Sequence, residues 1–137
     1  MPDATTQTAA DARDQIKFND QGLLPAVVQD ADTGEVLMMA WMNRAALDLT
    51  LQTGKTHFYS RSRDKMWLKG ESSGHVQEVV DVRVDCDMDC ILVRAHQHGA
   101  ACHEGYKSCF FRTLTEGGRE LSVNDERLVD PAEVYKK

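Results

Sequence analysis

The chain has 137 residues, 42% apolar and 28% charged, a balance that suits one globular domain and excludes both a disordered chain and a fibrous repeat. Lysine and arginine number 16 against 22 aspartates and glutamates, and the net charge of −6 argues against nucleic-acid binding, which rests on neutralising phosphates. The longest apolar run, Val36 to Met42, has seven residues, far short of the ~20 that a membrane span needs.

The chain opens on small and polar residues (Thr5, Thr6, Gln7, Thr8, Ala9, Ala10), and residues 1–14 are expected to form a flexible N-terminal arm. Asp3, Asp11 and Asp14, with no apolar block among them, do not make a secretory leader. A cytoplasmic protein is expected, with Cys86, Cys90, Cys102 and Cys109 as reduced thiols available for metal binding or catalysis. Leu23 to Val28 and Val36 to Trp41 predict a hairpin about the turn residues Asp32-Thr33-Gly34. Asn43 then caps a helix through Ala45, Ala46, Leu47, Leu49 and Leu51, closed by Gly54. Thr56 to Ser60 reads as a strand, and Arg61 to His75 as a polar stretch.

From Val76 the sequence alternates, with Val76, Val80, Val82, Val84 and Cys86 on one parity, which predicts one half-buried strand. Ile91 to Val93 and Phe110-Phe111 are further strand candidates, Gly117-Gly118 a turn, and Asp130-Pro131 the start of a short helix. The sum is a β-rich α+β fold with one main helix.

If the alternating strand persists, Asp85, Asp87 and Asp89 share one face and Cys86 takes the other. Crowded carboxylates repel, so stability does not select this pattern. Hard oxygen donors at that spacing suit Mg²⁺; the plain alternative is an acidic edge that discourages aggregation. Cys86, Cys102 and Cys109 are not paired as in a zinc ribbon. Three thiolates with an open fourth position fit a catalytic zinc, whereas adding Cys90 would close a structural one. Cys90 packs equally well as a small hydrophobe. His103, beside Cys102, is a fourth ligand, a proton shuttle or an ordinary surface histidine. Between Lys55 and Lys69 five cations (Lys55, Arg61, Arg63, Lys65, Lys69) face only Asp64, a local +4 interleaved with serines and glycines. Such a segment suits an anionic small molecule, or is simply a solvated loop.

Taken together, Met39-Ala40-Trp41-Met42-Asn43, Thr53-Gly54, the run His57 to Arg63, the run Trp67 to His75, Asp85 to Asp89, Ala101 to Gly105 and Ser108 to Arg112 resemble phosphoribosyl-AMP cyclohydrolase. The likeness spans about two-thirds of the chain, from Leu24 to Leu114. It implies a cyclohydrolase domain over 15–114 and a C-terminal extension over 115–137. The 23 residues after Leu114 are too few for the fused pyrophosphatase some relatives carry, so a monofunctional chain is expected.

The resemblance further implies a buckled, barrel-like mixed sheet in an intertwined homodimer. Cys86, Cys102 and Cys109 would bind Zn²⁺, one ion per subunit, with Cys86 from one subunit and Cys102 and Cys109 from the other; Asp85, Asp87 and Asp89 would bind Mg²⁺. His103 would act as general base, and Arg61, Arg63, Lys69, Ser72 and Ser73 would hold the anionic groups of phosphoribosyl-AMP. The reaction implied is hydrolysis of the adenine N1–C6 bond to a carboxamide, the third step of histidine biosynthesis, by a cyclic amidine hydrolase. Two other functions fit the residues alone: a nucleotide deaminase, which would release ammonia, and a zinc-stabilised binding module.

Overall fold

A computed structural model describes residues 11–134; the arm expected over 1–14 lies outside the described residues as far as residue 10. A short 3-10 helix, Ala12–Gln15, follows, and Arg13 joins it to the main helix through an ion pair with Asp48 at 2.8 Å. Strands β1 (Leu24–Asp30) and β2 (Val36–Met42) form the expected antiparallel hairpin. Helix α1 (Arg44–Thr53) begins at Asn43, whose side chain accepts from Ala46 N, and ends at Gly54 in the left-handed conformation. Both caps work as the sequence suggests, by satisfying terminal backbone groups and by sparing a side chain from positive φ.

Strands β3 (His57–Ser60) and β4 (Lys65–Leu68) make a second hairpin, β5 (Gln77–Val84) and β6 (Ile91–Gln97) a third, and β7 (Arg112–Thr115) and β8 (Glu120–Val123) a fourth. The largest sheet has the order β2-β1-β6-β5 and is mixed: β1 pairs in parallel with β6 from Ala26↔Ile91 onward, and every other pairing is antiparallel. Pro25, which has no N–H to give, sits just before that parallel ladder starts. The sheets are open rather than closed into a barrel. Helix α2 (Pro131–Val134) ends the described chain, with Asp130 accepting from Ala132 N.

Leu24, Ala26 and Val28 of β1, Leu37 and Met42 of β2, Ala46 and Leu47 of α1, Phe58 of β3 and Ile91, Val93 and Ala95 of β6 form one buried cluster. Each larger aliphatic side chain there contributes about 2 kcal/mol of transfer free energy. Two bulges shape the sheet. In β2 the register slips between Val28↔Met38 and Gln29↔Val36, so Leu37 is extra, and consecutive Leu37 and Met38 are both buried. In β5 the slip falls between Val79 and Asp81, leaving Val80 unpaired and 46% exposed.

That second bulge corrects the single parity read from Val76 to Cys86: Val79 packs on the core before it and Val82 after it, while Val84 turns outward. The polar stretch 61–75 contains β4, whose Met66 and Trp67 pack against the core. Phe110 and Phe111 precede β7 and belong to no strand.

Candidate active site

β5 ends at Val84, and residues 85–90 are a hairpin loop, not a continuing strand. Asp85 organises it: Asp85 N donates to Cys90 O at 3.0 Å, and Asp85 Oδ1 accepts from Asp89 N at 3.0 Å and Cys90 N at 3.2 Å. Met88 takes positive φ (66°) to close the turn. The carboxylates of Asp85, Asp87 and Asp89 therefore converge through a turn rather than by strand alternation. One ligand atom from each lies within 4.8 Å of the others, close enough to surround one cation. Burial works to raise the Asp85 carboxyl, but the backbone donors of Asp89 and Cys90 and the neighbouring Asp87 hold it below its usual range. Asp89, hydrogen-bonded to Asp87 and facing the Asp85 carboxylate as well, is pushed up.

The other thiols lie in the loop from Ala101 to Cys109. Ala101 N donates to Lys107 O and Cys102 N to Tyr106 O, folding the loop back on itself. The β2 bulge receives it: Cys109 N donates to Leu37 O at 2.7 Å and Ser108 Oγ to Val36 O at 2.8 Å. Lys107 Nζ reaches the buried Asp30 at 2.7 Å and Glu35 at 3.3 Å. On the far side the C-terminal extension clamps the same loop. Tyr106 and Phe111 stack at 3.7 Å with 5° between their planes, Arg112 covers Phe111, and Arg127 covers Tyr106 while donating to Glu104 O. Gly105 lies so close to this extension that a Cβ there would stand 2.2 Å from Val129 O.

Cys102 is buried, and the Cys109 thiol faces it from the rim. Burial and the neighbouring Cys102 push the Cys109 thiol up to about 11, against the opposing charge of Lys69. The Lys69 ammonium donates to Ala101 O and lies 5.8 Å from the Trp67 ring centroid. Burial lowers its pKa, and the two thiols counter that. Cys86 is exposed on the aspartate loop and does not join Cys102 and Cys109: among the described residues the aspartate triplet alone forms a cluster of three such ligands. A closed four-thiol site within one chain is therefore absent among the described residues.

Cys109 and His103 line a cavity of about 630 Å³ with Arg63, Lys69, Ser72 and Ser73, joined by Lys65 and Trp67. Arg61 lines an adjoining groove instead. Neither Arg63 nor Lys65 has a carboxylate partner among the described residues, although Arg44, Arg94 and Lys107 elsewhere are ion-paired. No local pattern announces the Asp30–Lys107 clamp or the aromatic stack, apart from a carboxylate at Asp30 on the inward parity of an apolar strand.

The sequence model of the phosphoribosyl-AMP cyclohydrolase family matches residues 38–111. A phosphoribosyl-AMP cyclohydrolase of Pelotomaculum thermopropionicum is 57% identical over 124 residues, covering 90% of this chain and 95% of that one. Those of Chlorobium phaeovibrioides (53%, 90% of each chain) and Haloquadratum walsbyi (51%, 98% of each chain) are similar along almost the same length.

Proposed function

Because the chain belongs to the phosphoribosyl-AMP cyclohydrolase family of histidine biosynthesis, we propose that it opens the adenine ring of phosphoribosyl-AMP between N1 and C6. One observation carries this: Cys109, with the buried Cys102 beside it, and His103 meet at a cavity whose cations Arg63 and Lys65 have no carboxylate partner among the described residues. In a chain of net charge −6, such cations await an anionic ligand.

The donor set fits zinc. Cys102 and Cys109 supply two soft ligands, a bound cation would favour the deprotonated form of the Cys109 thiol that burial disfavours, and Lys69 offsets charge on the pair. By the family resemblance, the third ligand in this proposal is Cys86 of the partner subunit, in a homodimer with a shared zinc site; that Cys86 does not join the pair within its own chain supports this reading. Zinc there would supply Lewis acidity and lower the pKa of a bound water toward neutrality. Asp85, Asp87 and Asp89 would hold Mg²⁺, relieving the repulsion that pushes Asp89 up. Four free thiols suit a reducing compartment such as the cytoplasm. No helix among the described residues is long and apolar enough to cross a membrane.

The chain's own residues divide the remaining work. Trp67, Met38 and Met39 give the purine an apolar wall, and Arg63, Lys65, Ser72 and Ser73 hold a phosphate. The His103 imidazole accepts a proton from the water that adds to C6. The C6–N1 bond then breaks with its electron pair going to N1, which takes up a proton, and the exocyclic nitrogen stays as the carboxamide. Incubation with phosphoribosyl-AMP under ultraviolet absorbance, with ammonia assayed alongside, tests the reaction. Ring opening without ammonia is expected; ammonia release would make the protein a deaminase, and no spectral change would remove the enzymatic role.

A further inference from the structure

Two concave surfaces abut on this molecule, one of about 630 Å³ and one of about 780 Å³. They share a wall made by Met39, Ala40, Ser60, Ser62 and Trp67. The first holds His103 and Cys109; the second holds neither. The four-residue turn between β3 and β4, closed by Asp64 at positive φ (52°), sends neighbouring cations to different sides. Arg63 and Lys65 enter the first surface and Arg61 the second.

Arg61 is exposed, has no ion-pair partner among the described residues, and holds its Cζ over Trp41, 4.8 Å from the ring centroid. A cation–π contact of this kind holds the guanidinium in place, and an arginine without an ion-pair partner has N–H groups to offer a phosphate in two-pronged fashion. Gln21 and Tyr59, also in the groove, offer polar atoms for hydroxyl groups.

We infer that the Arg61–Trp41 groove is a separate subsite for a phosphorylated pentose, the arm carried on N1, and that it sets the preference for a nucleotide with two phosphates over a mononucleotide. The inference rests on the reaction proposed above. That substrate has an anionic arm on each side of its purine. C6 must approach His103 and Cys109, and the first cavity has the size and the cations for one mononucleotide. The N1 arm branches one bond from the reacting carbon and has to leave that cavity. The shared wall at Trp67 leads it to the neighbouring surface that holds Arg61, which has no ion-pair partner among the described residues and is held against Trp41.

Steady-state kinetics of Arg61→Gln and Arg61→Lys, with zinc content and the affinity for AMP measured on the same samples, test this. Arg61→Gln is expected to raise KM for phosphoribosyl-AMP about tenfold or more, to leave kcat and AMP affinity within about twofold, and to keep its zinc. Arg61→Lys recovers only part of the KM, since an ammonium neither stacks flat nor binds in two-pronged fashion. An unchanged KM, or an equal weakening of AMP, overturns the assignment of this groove to the N1 arm. Failure of the wild-type protein to bind AMP overturns the division into two subsites. Wild-type protein that binds AMP but never turns over phosphoribosyl-AMP would instead sink the proposed reaction.

Discussion

Replacing Lys107 by methionine strands a carboxylate. Asp30 is 4% exposed, and its Oδ2 lies 2.7 Å from Lys107 Nζ, while Oδ1 accepts from Asp32 N at 2.8 Å. Removing one member of a fully buried pair costs 3–5 kcal/mol, and exposed pairs are worth well under 1. Here one oxygen keeps its backbone donor and the Lys107 side chain is 31% exposed, so about 2 kcal/mol is expected.

Burial alone would raise the Asp30 pKa, but Lys107 and the Asp32 backbone outweigh it and leave it lowered. In the native protein the carboxylate therefore stabilises the fold above its unfolded pKa of about 3.9, and that contribution is lost as pH falls through the lower folded value. In Lys107→Met burial prevails, the folded pKa rises above the unfolded one, and the penalty present at pH 7 shrinks as the carboxyl protonates. Urea denaturation at fixed protein concentration, at pH 7 and near pH 4.5, measures both. A loss below about 0.5 kcal/mol at pH 7, or an equal loss at both pH values, would refute a buried, lysine-compensated charge.

Cys86→Ala, Cys102→Ala and Cys109→Ala should each lose zinc and activity on metal analysis, while Cys90→Ser keeps both. Co-refolding Cys86→Ala with Cys109→Ala should restore up to about a quarter of native activity, because half the dimers are mixed and each has one intact site; no recovery at any ratio would place all three ligands in one chain. Asp87→Asn is expected to raise the Mg²⁺ concentration needed for half activity without changing zinc content; an unchanged Mg²⁺ titration would leave the triplet a solvated acidic turn. Gly105→Ala, with φ at 95° and Val129 O in the way, should destabilise by about 2 kcal/mol and expose the C-terminal extension to proteolysis, read by urea denaturation and limited digestion.

Local signals carried much of this structure into the sequence. Asn43 and Gly54 bracket α1 because caps act over three or four residues, and the β1–β2 hairpin follows from its own turn. Errors arose where one residue changes the count. Val80 shifts the parity of β5, and nothing within the alternation announces an extra residue. The aspartates were expected to meet on a strand, and they do meet, but in a loop organised by Asp85 itself. Short-range repulsion and turn formation use the same spacing, so the sequence could not separate them. Trp67 and Met66 sat in a run dominated by charge, which hid β4. The clamp between Asp30 and Lys107 joins residues far apart in the chain, and no local pattern encodes it.

Of the pairings in the described sheets, the four hairpins are each made by consecutive strands, and one register alone reaches far: β1 with β6, whose partners Ala26 and Ile91 enclose β2, α1, β3, β4 and β5. Hairpins form within microseconds, whereas a loop this long closes against a larger entropy and so governs the folding rate. The aspartate turn belongs to the fast class, since it is the tip of β5–β6. The cysteine loop belongs to the slow class, because Cys109 reaches Leu37 on β2 across a stretch of chain at least as long as the one between β1 and β6. During synthesis the acidic cluster is thus complete before the thiol pair has its anchor, and of the two sets of metal-binding groups the carboxylates are the first that a nascent chain presents.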